Sequence, residues 1–362
     1  MGLRKSTVEN MVNKSFWNSK KVLITGHTGF KGSWLSFWLN KLGSNVYGLA
    51  LKPDTDPALF DQLQLQETIN SKFVDIRDFE SVSNVVEKSD PDVIIHMAAQ
   101  PLVLRSYNEP RYTWETNVLG TINLLEAVKK IKKRCAVLVV TTDKVYDNRE
   151  WQFSYREIDR LGGRDPYSSS KAGAELVVSS WRESFFRNNN HINLASARAG
   201  NVIGGGDWAD NRLVPDIVRA IIKNEVIQVR NPNSIRPWQH VLDPLSGYLT
   251  LCEKLYQEED IIYQSAYNFG PMPGNSQSVR DLVNHALSIW QGEWSSESNN
   301  KTGHEAGLLK VSIDKSLSVL GWKPKLNFHK SIEFTVDWYI RQNKGESPRK
   351  LMEEQLKEFM KF

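Results

Sequence analysis

The sequence predicts an α/β protein, a doubly wound parallel sheet with a smaller mixed α/β lobe at the C-terminal end. Three observations carry this prediction. Short apolar runs alternate with helical stretches through the first 200 residues, the pattern of parallel strands with helices on both faces. A glycine-rich turn, Thr25-Gly26-His27-Thr28-Gly29-Phe30-Lys31-Gly32, directly follows the first apolar run. After Asn201 the texture changes to short elements between turns such as Asn231-Pro232-Asn233 and Gly270-Pro271-Met272-Pro273-Gly274.

The elements are justified in order. Val22-Leu23-Ile24-Thr25 reads as the first strand and residues 30–42 as the first helix, with Trp17 ahead of them packed on the sheet edge. Residues 45–51 are strand two, 72–74 strand three and 93–96 strand four, entered through Pro91. A long helix is expected over 112–133, and strand five over 136–141. Asp165-Pro166 starts the next helix, since Asp caps a helix N-terminus and Pro suits its first turn. Residues 192–197 are strand six. The expected division is 15–200 for the sheet domain and 201–362 for the second lobe, with some segments of the lobe returning to the first domain.

Composition narrows the class. A chain of 362 residues holds one large α/β domain and a smaller lobe. No run of 18 apolar residues is present, so no membrane span is expected. The first 20 residues lack an apolar core, which argues against a secretory signal and makes the cytoplasm the default. Cys135 and Cys252 give neither a disulfide framework nor a metal spacing, and no metal is expected. Forty-six basic against 42 acidic residues suit an anionic small molecule and do not amount to a nucleic-acid signature.

The glycine turn has the spacing GxxGxxG between a strand and a helix. Such a turn brings backbone N–H groups against a pyrophosphate at the helix N-terminus. Gly26, His27, Gly29, Phe30 and Gly32 are therefore candidate dinucleotide contacts. The acidic residue that would mark NAD about 20 residues further on is not clear. Lys52 stands in that zone and Asp54 slightly late, so NAD and NADP both remain open. Asp75-Ile76 at the end of strand three and Ala98-Ala99 at the end of strand four are the next candidates, for the adenine and for the flat passage of the cofactor.

Tyr167-Ser168-Ser169-Ser170-Lys171 places a phenol and an ammonium four residues apart on one helix face. A phenol with its ordinary pKa near ~10 is too weak a base at neutral pH, and a nearby ammonium favours the phenolate. A fall of ~3 units corresponds to about 4 kcal/mol, which a closed site can supply. Lys171 can also hold the nicotinamide ribose. Thr141-Thr142-Asp143-Lys144-Val145-Tyr146 ends the fifth strand and adds a hydroxyl and an acid beside this pair.

This order of motifs, with YxxxK after a TT(D/E) strand end, resembles the extended short-chain dehydrogenase/reductase family over nearly the whole chain. The resemblance implies a Rossmann-type fold, NAD(P) on the glycine turn and a nucleotide-sugar in the C-terminal lobe. Epimerases of the family carry small residues after the strand-five hydroxyl, whereas the sugar-nucleotide 4,6-dehydratases carry Asp-Glu. Carried over by position, Tyr167 is the base at the 4-hydroxyl, Thr142 its hydrogen-bond partner and Asp143 the acid at C6. Lys144 stands where the family glutamate would be. The Asp143-Lys144 pair and His27 resemble the branch that acts on CDP-glucose. So do the segments His96-Met97-Ala98-Ala99-Gln100-Pro101, Arg198 to Trp208 and Ile235-Arg236-Pro237-Trp238-Gln239-His240-Val241. Lys144 removes the C5 proton only if it is neutral; otherwise Asp143 serves twice or a water carries the proton.

By the same resemblance Asn201 touches the sugar diphosphate, and His304-Glu305-Ala306 matches a segment near the nucleotide with no role assigned. Arg236 is a clamp for that diphosphate because guanidinium binds phosphate oxygens bidentately, and Arg212, opening the next helix, is a candidate for the same anion. Family members pair through two long helices into a four-helix bundle. That implies a homodimer, or a tetramer built from it, through residues 112–133 and 167–186. Bacterial surface polysaccharide is the family's usual destination. A 4-epimerase, a dehydratase of another nucleotide-sugar and a dinucleotide-sensing regulator are the competing readings; Asp143 disfavours the first and the Tyr167–Lys171 pair the last.

Overall fold

The computed structural model describes residues 12–187, 191–296 and 307–362. Seven strands form one parallel sheet: β1 (Lys21–Thr25), β2 (Asn45–Ala50), β3 (Asn70–Phe73), β4 (Val93–His96), β5 (Cys135–Val140), β6 (Ile192–Ala199) and β7 (Ala266–Phe269). Their spatial order is 7-6-5-4-1-2-3. The order reverses between β1 and β4, where a doubly wound sheet opens its ligand crevice. β5 and β6 are buried along their whole length, as strands covered on both faces must be. β3 is the far edge, is mostly exposed, and begins two residues before the expected start.

Alternation along the strands builds two cores. Val22, Ile24, Ile95, Leu138 and Ala197 face one layer, and Leu23, Ile94, Val137 and Leu194 face the other. Helix α1 (Phe30–Leu42) covers the first face and ends in a left-handed cap at Gly43. Trp17 is fully buried in this same core. It does not sit at an edge, because β1 is an interior strand. On the second face lie α2 (Phe79–Ser89), α3 (Pro110–Trp114) with a π turn at Glu115–Leu119, α4 (Gly120–Val128) and α5 (Pro166–Trp181). The expected helix over 112–133 is thus continuous from Pro110, carries a π turn at Glu115–Leu119 and stops at Val128, ahead of the basic run Lys129 to Arg134. α5 starts as expected, with Asp165 accepting from Ser168 N at 2.9 Å and Pro166 in the first turn. It continues past Trp181 as a π turn to Phe186.

The chain after residue 201 is not detached from the sheet. It supplies α6 (Leu213–Lys223), α7 (Leu242–Gln257), α8 (Val279–Ile289), α9 (Phe328–Asn343) and α10 (Pro348–Phe359). α7 packs on β5 and β6, and β7 pairs in parallel with β6 from Ala266–Ser196 to Phe269–Ala199. The loop at 204–208 is held between two layers. Trp34 Nε1 donates to Gly205 O at 2.9 Å, and Tyr339 Oη donates to Asp207 O at 2.6 Å. Position 205 must be glycine, since a Cβ there would fall 2.1 Å from Trp338 Cγ. No described helix is long and apolar enough to cross a membrane.

Trp338 is fully buried and ties α9 to this loop. Trp338→Ala is expected to cost about 3–5 kcal/mol, read as a lowered urea midpoint. A loss below about 1 kcal/mol would mean that the loop is held without it.

Candidate active site

The glycine turn is shaped from within. Gly26 has φ +78°, a left-handed conformation, and a Cβ on Gly32 would lie 2.0 Å from Gly26 O. Gly29 caps α1 without a side-chain bond, and a Cβ there would meet only Gly26 O at 3.6 Å. The space before the helix is therefore open, and the first N–H groups of α1 have no carbonyl within their own helix. Donors and dipole together make an anion site. His27 points back into the protein. Its Nε2 lies 2.7 Å from Ser71 Oγ, and burial pulls the imidazole down to about 4, so it is neutral.

The ends of β1 and β4 are locked by a hydroxyl. Thr25 Oγ1 accepts from Met97 N and Ala98 N, each at 3.1 Å, and lies 2.6 Å from His96 Nδ1. His96 Nε2 lies 3.1 Å from Thr121 Oγ1, whose own proton goes to Asn117 O at 2.7 Å. Nε2 must then carry the imidazole proton, and Nδ1 accepts from Thr25. Burial and the nearby Lys171 bring His96 down to about 3. Ala98 and Ala99 follow this lock. At the far end of the crevice Asp75 is gripped by Arg77, at 3.0 Å from Nε and 2.6 Å from Nη2, which holds the carboxyl below its usual range. Ile76 beside it is buried against Gly120.

A cavity of about 710 Å³ opens between the sheet and the second lobe, and Phe30, Lys31, Thr142, Lys144 and Tyr167 are on its wall. The Tyr167 phenol is hydrogen-bonded with Thr142. Thr142 Oγ1 in turn donates to Asp143 Oδ1 at 3.1 Å, and Lys144 Nζ reaches the same oxygen at 3.3 Å. Asp143 is fully buried and lies behind this wall, with Oδ2 unbonded among the described residues and close to Gly200.

The expected acidification of Tyr167 is not what the structure gives. Burial pushes the phenol up to about 12, against the Thr142 bond that lowers it. The Lys171 Nζ is engaged elsewhere, donating to Val140 O at 3.0 Å. Burial also draws the Lys171 ammonium down to about 8, against the carboxylate of Glu175.

The second lobe supplies cations. Arg236 is buried on the cavity wall, with Nη1 donating to Ile235 O at 3.1 Å. Arg212 pairs with Asp207 at 2.8 Å and also lines the cavity. Asn201 is there as well, its Oδ1 buried and unbonded among the described residues. His304, Glu305 and Ala306 lie outside the described residues. Three functional residues escaped the sequence reading. Lys31 was only part of the glycine turn, yet burial, with Lys171 and Arg212 nearby, brings it down to about 7 against Asp143 and Asp207. Asp207 and Glu175 partner cations brought in by the fold. For Glu175 a local signal existed: it continues the four-residue spacing of Tyr167 and Lys171.

Fold and site together define a nucleotide-binding α/β protein with a tyrosine–lysine pair on its crevice, and relatives narrow the class. Residues 23–335 match the family of GDP-mannose 4,6-dehydratases, and the chain belongs to that family of sugar-nucleotide dehydratases. It is 46% identical to the CDP-glucose 4,6-dehydratase of Salmonella typhimurium, over 93% of this chain and 95% of that one. It is 27% identical to the CDP-paratose 2-epimerase of Salmonella typhi, over 88% and 98%. Among solved structures, a dTDP-glucose 4,6-dehydratase of Streptomyces venezuelae, in complex with NAD, matches with TM-score 0.77 at 22% identity. That match covers 91% of this chain and 99% of that one, and it bears on the fold alone.

His27 and His96 are expected to keep neutral-ring NMR signals as pH falls from about 7 to 5, because their folded-state values lie well below 6.5. Only the unfolded chain takes up these protons, so both residues subtract stability as pH drops from 6.5 towards 4. A titration of either ring near 6.5 would contradict the burial described.

Proposed function

We propose that this protein is a hydro-lyase that converts CDP-glucose to CDP-4-dehydro-6-deoxyglucose and water. The observation that carries the reading is the cavity wall itself. It carries Tyr167 and Thr142, suited to oxidation at one carbon, and Lys144, with Asp143 bonded to Thr142 and Lys144 directly behind it, suited to acid–base work at the next. The 46% identical relative bears the same activity in its name.

The glycine turn fits a dinucleotide: it has open space before α1, unpaired helix N–H groups and no side chain in the way. Gly26, Gly29, Phe30 and Gly32 would hold the pyrophosphate, with His27 packed behind them. Asp75 and Ile76 would meet the adenine end, and Ala98 and Ala99 would flank the path to Tyr167 and Lys171. We take the dinucleotide to be NAD, the one bound in the Streptomyces structure; Lys52, the residue that kept NADP open, is exposed. When bound, NAD supplies a hydride acceptor for C4 and returns that hydride at C6.

The residues have separate tasks. Tyr167 accepts the 4-hydroxyl proton with Thr142 as its bonded partner, and Lys171 orients the ribose and lowers the cost of the phenolate. The ketone acidifies the C5 hydrogen. That proton passes to Lys144, to Asp143 acting twice or to a water, while Asp143 protonates the departing C6 hydroxyl. C5 regains a proton as the hydride returns to C6, and Tyr167 releases its proton to solvent as Asp143 recovers its own. Arg236, Arg212 and Asn201 bind the diphosphate, a role that suits guanidinium forks. The reading includes a cytoplasmic enzyme whose product enters deoxysugar synthesis for surface polysaccharide such as lipopolysaccharide O-antigen.

The test is product mass from purified protein with NAD and CDP-, TDP-, UDP- and GDP-hexoses. Loss of one water from CDP-glucose is the expected result. An isomerised sugar of unchanged mass would put an epimerase in its place. Tyr167→Phe is expected to lose about 10²–10⁴-fold in turnover with substrate binding kept.

We infer a homodimer through α3, α4 and α5. Trp114, Leu119, Leu176 and Phe185 are large apolar side chains exposed on these helices and their π turns. Light scattering should give twice the chain mass, and Leu176→Glu should shift it towards the monomer. A monomer in the unaltered protein would end this reading.

A further inference from the structure

We propose that Glu175 is a positioning residue for the active site, the buried anion that keeps Lys171 charged. The inference rests on the function proposed above for what Lys171 does, but not for its charge. Tyr167, Lys171 and Glu175 recur every four residues on α5 and so share one face of the helix. All three are buried.

Glu175 is held by an unusually complete set of donors. Thr141 Oγ1 donates to Oε1 at 2.5 Å. Ser196 Oγ and Arg198 Nη2 both donate to Oε2 at 2.8 Å. These bonds come from the end of β5 and from β6, the two strands beneath the helix. They hold the carboxyl ionised despite complete burial, below its usual range. Arg198 is itself fixed from behind by Tyr146 Oη at 3.0 Å and Glu157 O at 3.1 Å. The outcome is a line of alternating charge, Arg198, Glu175, Lys171, that ends beside the phenol.

Lys171 needs that anion. Its Nζ bonds a neutral carbonyl, Val140 O. The other charged or titratable groups around it give no help. Lys31 on α1 is a cation that is itself lowered by Lys171, His96 at the end of β4 is neutral, and Tyr167 is protonated. Arg198 and Arg182 act on the far side, through Glu175. Burial has already drawn Lys171 to about 8, and Glu175 is what opposes it. Without the anion the value falls further, so the ammonium is lost at neutral pH and the loss is greatest on the alkaline side.

The experiment is Glu175→Gln, which keeps the side chain's shape, leaves one acceptor oxygen and removes the charge. The titration midpoint of Lys171 is read from its ε-carbon NMR shift, assigned with Lys171→Arg, and needs no substrate. A fall of about one pH unit or more is expected, with Glu175→Asp restoring most of it. The alkaline limb of CDP-glucose turnover should move by the same amount, so that turnover drops about tenfold at alkaline pH and recovers as pH is lowered. An unmoved midpoint overturns the proposal, as does a turnover loss equal at all pH values. If Glu175→Gln does not fold because Arg198 is left unpaired, the double variant Glu175→Gln, Arg198→Gln carries the same midpoint test. Failure of the unaltered protein to convert CDP-glucose would remove the function reading and leave the NMR outcome to decide the role of Glu175.

Discussion

Desolvation at the carboxyl ends of β1, β4 and β5 is the constraint on which the rest of the structure depends. Parallel strands buried on both faces must end somewhere, and here they end under a second layer of protein. Each polar group at that level has therefore lost water and must find a partner. Thr25 satisfies two backbone N–H groups and a histidine at once. Glu175 satisfies two hydroxyls and a guanidinium. What functions as chemistry in this crevice is, in the first place, the set of groups that make burial of the strand ends tolerable.

The same constraint sets the sign of several shifts at the site. His27, His96, Lys31 and Lys171 are all drawn towards their neutral forms, and Tyr167 is held in its protonated form. Charge survives where pairing is dense, as for Glu175 with Arg198. The site holds its catalytic groups close to the point where one added or removed charge changes their state.

The parts of this design that are local in the chain were legible in the sequence. The glycine turn, the Thr142-Asp143-Lys144 strand end and the Tyr167–Lys171 spacing each declare themselves within a few residues, and the alternation of apolar runs gave the sheet. The π turn between α3 and α4 did not show, because the backbone stays helical through it. Lys31 was illegible for a different reason. The groups around it, Lys171, Arg212, Asp143 and Asp207, come from elements far away in the chain, and a lysine in the first turn of a helix reads as solvated until a second lobe covers it. The direction of the Tyr167 shift was misjudged on the same ground, since spacing gives proximity to Lys171 but not the Val140 carbonyl that engages it.

The seventh strand couples the two halves in time as well as in space. β6 lies second from the edge of the sheet, buried along its whole length, and its outer neighbour β7 is made about 70 residues later. A nascent chain that ends before Ala266 carries β6 as a bare, apolar sheet edge, the kind of edge that recruits strands from other chains. The first lobe cannot bury that edge by itself. Completion of the nucleotide-binding sheet therefore waits on the C-terminal half, and a truncated or stalled product is left with an adhesive margin instead of a working fragment.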